Sequence, residues 1–185
     1  MARARKEGCP VNLYFRLFML LLKSLAARAR LPWSATTSLG LRVLPHDLDL
    51  NFHLNNGRYL TMMDLGRLDY LGQTGMLKTC IKRKWLPILG ATQMTYLRPL
   101  KLFQTFTIDT EIEYWDEKWV VMRQRFYSKG KLVASGRVRA LMRGPQGNVP
   151  PAEILAASGI SDPTPPPISD EVRHWLASLN SLKAS

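Results

Sequence analysis

Three consecutive segments between residues 105 and 143 alternate apolar and polar side chains with a period of two. Polar turns at 116–118 and 128–131 separate them. In the first segment, Phe106, Ile108, Ile112 and Tyr114 share one face. Such alternation is typical of strands that pack one face on a core and expose the other, and short turns join neighbours in an antiparallel sheet. The sequence therefore predicts an antiparallel meander.

The polar faces of these predicted strands carry complementary charges. Carboxylates at 109, 111 and 113 would lie beside arginines at 123 and 125, which in turn would lie beside arginines at 137 and 139. Opposite charges on neighbouring strands contribute about 0.2 to 1 kcal/mol each. Much of the arginine content is thus explained by a solvated sheet face, which lacks the aromatic platform of a nucleic-acid surface. We expect no nucleic-acid partner.

A buried helix is predicted before the meander. Asn55, Asn56 and Gly57 suit a helix start, because Asn side chains accept bonds from the first-turn N–H groups. Apolar residues between 59 and 71 surround the helix on nearly all sides, which is typical of a buried helix. Asp64 and Arg67, three residues apart, are expected to pair. Together with the meander, this helix predicts an α+β fold.

Length and composition limit the architecture. A chain of 185 residues favours one domain with terminal extensions. Two cysteines provide neither a disulfide framework nor a four-thiolate zinc site. We expect a reducing, cytoplasmic location. No P-loop, dinucleotide-binding or metalloprotease motif occurs, so we expect no metal and no cofactor.

The N-terminal segment concentrates positive charge. Seven basic residues and one acidic residue in positions 1–30 provide half of the net charge of +12. Residues 11–31 predict a helix with a narrow basic stripe and a broad apolar remainder. Arg16 and Lys23 interrupt the apolar run, which disfavours a membrane span and a signal peptide cleaved near 27–29. Two alternatives stay open: a helix lying on an anionic membrane surface, and one packed on its own domain or a subunit partner.

The chain beyond Gly144 is rich in proline and predicts a linker. Ser169 is expected to cap a final helix that docks on the domain through its apolar side. The predicted organisation is a basic helix over 1–33, a domain over 34–144, and a linker with a terminal helix over 145–185.

A polar cluster directly precedes the predicted buried helix. Within ten residues lie Asp47, Asp49, His53, Asn55 and Asn56. A carboxylate can activate water or attack a carbonyl, and free N–H groups at a helix start can stabilise an oxyanion. Such a site would suit acyl transfer. The alternative is an ordinary network of turns and caps.

The segment Asp47-Leu-Asp-Leu-Asn-Phe-His-Leu-Asn-Asn-Gly-Arg-Tyr59 resembles the signature D-x-D-x-x-G-H-V-N-N-x-x-Y. This signature belongs to hot-dog-fold acyl-CoA thioesterases of the 4-hydroxybenzoyl-CoA thioesterase group. The longer match, with Gly66-Arg67 and Trp115-Asp-Glu-Lys-Trp119, is similar to the branch that contains thioesterase superfamily member six. The resemblance implies a long helix wrapped by an antiparallel sheet, a homodimer with active sites at the subunit interface, and hydrolysis of an acyl-CoA thioester.

The resemblance also implies residue roles. Asp49 matches the catalytic aspartate, as nucleophile or as general base, and the Asn56 N–H matches the donor to the thioester carbonyl. His53 and Asn55 match positions that orient the carboxylate or the water. Phe52 replaces the glycine of the signature, which could narrow the pocket or bend the turn differently.

Other residues are weaker candidates for substrate contacts. Asp47 is expected to position the loop, and Tyr59 is more typical of a core residue. The basic run Lys82, Arg83 and Lys84 would suit the phosphates of coenzyme A, although such runs are usually solvated faces. Two rivals to the thioesterase hypothesis remain: a non-catalytic acyl-binding or membrane-associated scaffold on the same fold, and a hydratase or dehydratase, whose motifs we do not find.

Overall fold

The computed structural model describes residues 11–26, 31–161 and 163–184, which form five helices and six strands. The helices are α1 (Val11–Ala26), α2 (Asn56–Gln73), α3 (Met76–Arg83), α4 (Pro151–Ala157) and α5 (Asp170–Ala184). The strands are β1 (Thr37–Arg42), β2 (Leu86–Tyr96), β3 (Thr105–Trp115), β4 (Val120–Ser128), β5 (Lys131–Gly144) and β6 (Gly147–Val149).

The antiparallel sheet has the order β1-β3-β4-β5-β2, with β6 paired to the end of β5. The predicted meander is β3-β4-β5, and its charges meet as expected. Arg123 contacts the carboxylates of Glu111 and Glu113 at 2.7 and 3.3 Å, and Arg137 contacts Glu113 at 2.6 Å. The sheet therefore turns an ion-paired face outward and an apolar face inward.

Helix α2 crosses the apolar face of the sheet and makes its closest approach at Gly66. A Cβ atom at this position would lie 2.6 Å from the Gln124 amide nitrogen and 2.9 Å from the Thr110 hydroxyl. That amide nitrogen donates to the Met63 carbonyl at 2.9 Å and to Thr110 at 3.1 Å. Glycine therefore lets the helix backbone approach the sheet closely enough for a side-chain amide to join them. This long helix against a curled sheet confirms the α+β hot-dog architecture.

Helix α1 packs on this domain. Leu20 is buried against Leu39 and Leu65, and Ser24 lies against Gly72 of α2. The outer side of α1 exposes apolar residues: Phe15, Leu17, Phe18, Met19 and Leu22. Among the described helices, none is long and apolar enough to span a membrane. One side of α1 thus packs on its own domain, and its other side presents apolar residues to solvent. The cleavage site considered for a signal peptide lies outside the described residues.

Several elements were missed in the sequence. Strand β2 was not predicted, because Pro87 and Gly90 interrupt its pattern and nearly all its side chains are exposed at the sheet edge. Helix α3 was not predicted either.

The predicted linker after Gly144 instead begins with β6 and α4. Pro151 occupies the first turn of α4, where a missing N–H costs little. Ile154 and Leu155 are buried in the core. This part of the chain therefore belongs to the domain.

The C-terminal helix docks on the outer sheet face, as expected. The Ser169 hydroxyl accepts from the Val172 N–H at 3.3 Å, and Val172 is fully buried. Arg137 pairs with Glu171 at 3.1 Å and lies over the Trp175 ring.

Candidate active site

The polar cluster forms a compact loop closed by backbone hydrogen bonds. The Asp49 N–H donates to the His53 carbonyl at 2.8 Å, and the Asn55 N–H donates to the Asp47 carbonyl at 2.9 Å. Leu48 and Leu54 form an isolated antiparallel bridge between these two bonds. The chain therefore leaves and returns at the start of α2, so Asp47, Asp49, His53 and Asn55 lie in one closed loop.

The Asp49 carboxylate uses one oxygen to hold this loop. Its Oδ1 accepts from the Asn51 N–H at 2.8 Å and from the His53 N–H at 3.2 Å. Across the described residues, Oδ2 has no hydrogen-bond partner, and the side chain is half-buried. The turn-capping reading is therefore correct for one oxygen, while the other remains available for chemistry. His53 orients the carboxylate through its backbone N–H.

The start of α2 offers one unused backbone donor. Asn55 is the N-cap, and its Oδ1 accepts from the Gly57 N–H at 2.8 Å. The Arg58 N–H donates to the Asn55 carbonyl at 2.9 Å. No acceptor for the Asn56 N–H occurs in the part of the chain that the structure describes. Since the helix dipole adds to this donor, the site is suited to a developing negative charge. The Asn55 side chain caps the Gly57 N–H and so fixes the first turn of the helix, which contains the Asn56 N–H.

Asp47 is buried, and both oxygens of its carboxylate have polar partners. Its Oδ2 accepts from the Leu44 N–H at 3.0 Å and from Arg16 of α1 at 3.1 Å. Its Oδ1 lies 3.2 Å from His46 Nε2 and 3.7 Å from Arg58 Nε. These contacts support the expected positioning role. They give no support to a substrate contact through this carboxylate, which stays a prediction. Sequence reasoning missed Arg16 because its partner lies 31 residues away with no local signal.

Phe52 adopts the backbone conformation that glycine favours. Its φ is 58°, in the left-handed region, and its side chain is 76% exposed. This conformation costs a non-glycine residue about 1 to 2 kcal/mol. The ring points to solvent, so it does not fill the space in front of Asp49, and the turn keeps the form that the motif glycine would permit.

Tyr59 is a core residue. Its ring packs at 5.1 Å from Tyr96 and 5.2 Å from Phe126, and it is 2% exposed. Burial, followed by the proximity of Tyr96, raises the pKa of its hydroxyl to about 12. The packing supports the core interpretation, and the predicted substrate contact stays a prediction. Cys80 is also buried, and burial raises the pKa of its thiol to about 11, which disfavours thiolate chemistry.

The basic residues Lys82, Arg83 and Lys84 lie far from Asp49 within one chain. They end α3, directly before the Leu86 end of β2. The opposite end of β2 is next to the site, since the Tyr96 hydroxyl donates to the Asn56 carbonyl at 3.1 Å. An eleven-residue strand spans roughly 30 Å. One chain therefore does not bring this basic run to the candidate site.

An apolar cavity of about 320 Å³ lies between α2, the inner sheet face and α4. Its lining includes Leu71, Ile112, Met122, Ile154 and Leu155. The ion pair of Asp64 and Arg67 lies at its polar side. Its volume is about twice that of a roughly 150 Å³ apolar cavity that holds benzene. This cavity was not predicted from the sequence, because α4, which forms one of its walls, was not predicted.

Comparisons with known proteins agree with this architecture. Residues 43–176 match the family model described as the Thioesterase-like superfamily. Protein THEM6 of Danio rerio is 34% identical over 154 residues, covering 77% of this chain and 72% of that protein. Protein THEM6 of Drosophila melanogaster is 28% identical over 173 residues, covering 91% and 86%.

Solved structures share the fold. The gentisyl-coenzyme A thioesterase BH1999 superposes with a TM-score of 0.60 at 19% identity, covering 65% of this chain and 99% of that one. The probable thioesterase YbaW of Escherichia coli superposes with a TM-score of 0.60 at 20% identity, covering 66% and 96%. The fold, the loop before α2 and the family match lead to one conclusion: this chain belongs to the Thioesterase-like superfamily.

Proposed function

We propose that this protein hydrolyses acyl-CoA thioesters at the loop before α2. The single observation that carries the proposal is that one loop contains two groups without a hydrogen-bond partner among the described residues: Oδ2 of Asp49, and the Asn56 N–H at the start of a buried helix. Membership of the Thioesterase-like superfamily supports thioester hydrolysis in general. The assignment to acyl-CoA and to these residues is the proposal.

The proposed reaction uses the two groups in complementary roles. With Asp49 as general base, Oδ2 takes a proton from water as the water oxygen attacks the thioester carbon. The carbonyl oxygen becomes negative and accepts from the Asn56 N–H. Collapse then breaks the C–S bond and leaves a carboxylic acid, and the expelled coenzyme A thiolate takes the proton back from Asp49. With Asp49 as nucleophile, Oδ2 attacks the thioester carbon, the C–S bond breaks and the coenzyme A thiolate leaves. Water then hydrolyses the mixed anhydride to the carboxylic acid and the free Asp49 carboxylate. Both routes need the turn that His53 and Asn55 shape.

One face of α2 leads from the candidate site to the apolar cavity. Asn56, Leu60 and Asp64 follow one another at intervals of four residues, so they share a helix face. Leu60 is exposed on this face, and Asp64 lies at the cavity described above. The distance from Asn56 to Asp64 along the helix is about 12 Å. We therefore propose that a long acyl chain passes Leu60 and ends in the cavity.

A homodimer formed through β2 would complete the site. As an edge strand, β2 has unpaired backbone groups and exposes Leu86, Ile88 and Leu89. If two β2 strands pair antiparallel about a two-fold axis, the Leu86 end of one lies beside the Tyr96 end of the other. Lys82 and Lys84 of the second copy would then approach Asn56 of the first. This arrangement would allow the predicted contact with coenzyme A phosphates.

A turnover screen over short, long and aromatic acyl-CoAs tests the proposal, with Asp49→Asn measured in parallel. The amide keeps an oxygen that can cap the turn but removes the base or nucleophile. We expect kcat to fall by about 10² to 10⁴. Asp116→Asn is the matched control, because Asp116 Oδ1 caps the β3–β4 turn with bonds of 2.8 and 2.7 Å. Near-normal hydrolysis by Asp49→Asn would refute the assignment.

A second variant tests the chain route. Leu71→Trp adds volume at the half-buried wall of the cavity. We expect turnover of long-chain substrates to fall about tenfold while short-chain turnover stays unchanged. An equal loss for all chain lengths would show that the acyl group does not use the cavity.

Mixing two impaired variants tests the composite site. Asp49→Asn and Lys82→Glu/Lys84→Glu proteins, unfolded and refolded together, should regain about a quarter of the wild-type rate, since half of the dimers are mixed and each has one intact site. If the mixture is no more active than the separate variants, then either Asp49 and the lysines act in a site within one chain, or the lysines take no part in the site.

The non-catalytic scaffold remains the alternative function. Two sequence features favour it: Phe52 in place of the motif glycine, and the amphipathic N-terminal segment. The Phe52 ring is 76% exposed, so the first of these features does not narrow the site. Binding of acyl-CoA without turnover across the whole panel would select this alternative. The cytoplasmic location is likewise a proposal, supported by the cysteine content and the buried free thiol of Cys80.

A further inference from the structure

Three loops meet at the end of the sheet where α2 begins: residues 50–53, 97–104 and 128–131. His53 and Lys101 form an antiparallel bridge, and the Leu54 N–H donates to the Leu100 carbonyl at 2.8 Å. The Gln104 amide donates to the Ser128 hydroxyl at 2.9 Å. These contacts join the loops into one surface, which we call the loop end.

The loop end exposes large apolar side chains. Leu50 is 98% exposed, Phe52 76% and Phe103 58%. Leu97 and Leu102 are exposed as well. Single exposed apolar residues are ordinary, but a group of them on adjoining loops marks an interaction site.

Two of these side chains are held outward by an unfavourable backbone. Phe52 and Phe103 have φ values of 58° and 60°, in the left-handed region where glycine is the favoured residue. Both residues belong to adjoining loops, and both expose their rings. Lys84 and Lys129 share this conformation, at a helix end and in a hairpin turn. At Phe52 and Phe103 the same strained backbone presents an exposed ring, which supports a function for the rings together with their exposure.

The charges of the loop end all have one sign. The three loops contain Arg98, Lys101, Lys129 and Lys131, all exposed, and no aspartate or glutamate. Beside them, Arg42 and Lys129 line an open trough of about 910 Å³ that also contains Asp109. Two copies of this surface facing each other would bring like charges together, which disfavours self-association here. Apolar side chains flanked by cations instead match the interface of an anionic bilayer.

We propose that the loop end docks this protein on an anionic lipid bilayer, with Phe52 and Phe103 inserted at the level of the headgroups. This surface is distinct from the basic N-terminal segment. It does adjoin α1, because Arg16 donates to the Arg42 carbonyl at 3.0 Å and contacts Asp47. Docking in this orientation places the loop of Asp49 against the membrane. The proposal does not depend on the proposed hydrolysis.

Co-sedimentation of the full-length protein with vesicles tests the proposal. The vesicles contain phosphatidylcholine alone or a mixture with phosphatidylglycerol. We expect binding to the mixed vesicles that weakens with added salt. Phe52→Gly/Phe103→Gly removes both rings and relieves the backbone strain, so folding is preserved. It should weaken the partition at least tenfold. Ile81→Ser, which removes a comparably exposed side chain on α3, should bind like the wild type.

Charge reversal tests the electrostatic part. Each basic residue near an anionic surface strengthens binding about fivefold. Lys101→Glu/Lys129→Glu should therefore weaken binding more than tenfold, whereas Lys118→Glu, at the opposite end of the sheet, should have no effect. Equal binding by the loop-end variants and their controls would overturn the proposal. So would loss of binding only in Phe15→Ser/Phe18→Ser, which alters α1, or failure of the wild type to bind anionic vesicles.

Discussion

The turns at Asp49 and Asp116 have the same internal chemistry but different surroundings. In each, one carboxylate oxygen accepts two backbone N–H groups within four residues. Asp116 lies in the hairpin between β3 and β4, where its Oδ1 caps the turn. Asp49 stands before a buried helix whose first N–H has no acceptor within the described chain. Both turns have the same hydrogen bonds from backbone N–H groups to an aspartate oxygen. The surroundings of the carboxylate, and not the turn itself, therefore distinguish the catalytic candidate Asp49 from Asp116.

The largest expected effect separates the two turns by activity. Asp49→Ala and Asp116→Ala each remove a turn cap, so both should lower the free energy of unfolding by about 1 kcal/mol. Turnover of a good acyl-CoA substrate should fall by about 10² to 10⁴ only in Asp49→Ala. Chemical denaturation and steady-state kinetics on the same preparations measure both quantities. Equal activity losses would mean that Asp49 acts only through the turn.

The next effect concerns the support beneath the Asp49 loop. Asp47→Ala leaves Arg16 and Arg58 without their buried carboxylate, which should cost about 3 to 5 kcal/mol in the free energy of unfolding. Asp170→Ala is the control, because its pair with Arg173 is 3.9 Å long and exposed on both sides. Its cost should stay below about 1 kcal/mol. Denaturant titration distinguishes the two, and similar small losses would show that the buried pair does not hold the loop.

A smaller effect tests the crossing of α2 over the sheet. Gly66→Ala places a methyl group against Gln124 and Thr110, and should cost about 1 to 3 kcal/mol through overpacking. A Cβ at Gly40 would meet nothing within 4 Å, so Gly40→Ala should change stability little. Thermal unfolding of both variants measures the difference, and a neutral Gly66→Ala would show that the helix can shift away from the sheet.

The smallest effect concerns Phe52. Phe52→Gly relieves the left-handed strain but adds freedom to the unfolded chain, so the net stabilisation should be at most about 1 kcal/mol. Phe126→Gly is the control: it removes a fully buried ring, so it should lower the free energy of unfolding by about 3 kcal/mol or more. Chemical denaturation of both variants measures the difference. A clear loss of stability in Phe52→Gly would mean that the ring has contacts beyond those described.

Patterns that depend on neighbouring residues were predicted well. The alternation over 105–143 located β3, β4 and β5 within a few residues, because a half-buried strand has a period of two. Asn55 and Ser169 were recognised as helix caps, since capping involves residues two or three positions apart. The polar loop was found through its motif, and hydrogen bonds between Asp47 and Asn55 explain why its spacing matters.

Features created by distant residues were not predicted. Strand β2 lacks a half-buried pattern, and it becomes a strand through pairing with β5, whose partner residues lie between 38 (Tyr96 to Ala134) and 57 (Leu86 to Arg143) positions away. The contact of Arg16 with Asp47 needs α1 to lie beside α2. Helix α4 forms one wall of the cavity. It was not predicted, because it is short and follows a proline-rich segment, which is typical of a linker.

The amino-acid sequence by itself determined the strand alternation, the start of α2 and the chemical content of the loop before it, because these depend on local spacing and side-chain type. Only the tertiary structure decided which oxygen of Asp49 is occupied, where the Phe52 ring points and which loops form a common surface. Those outcomes depend on chain segments that meet through long-range packing, which no local pattern specifies.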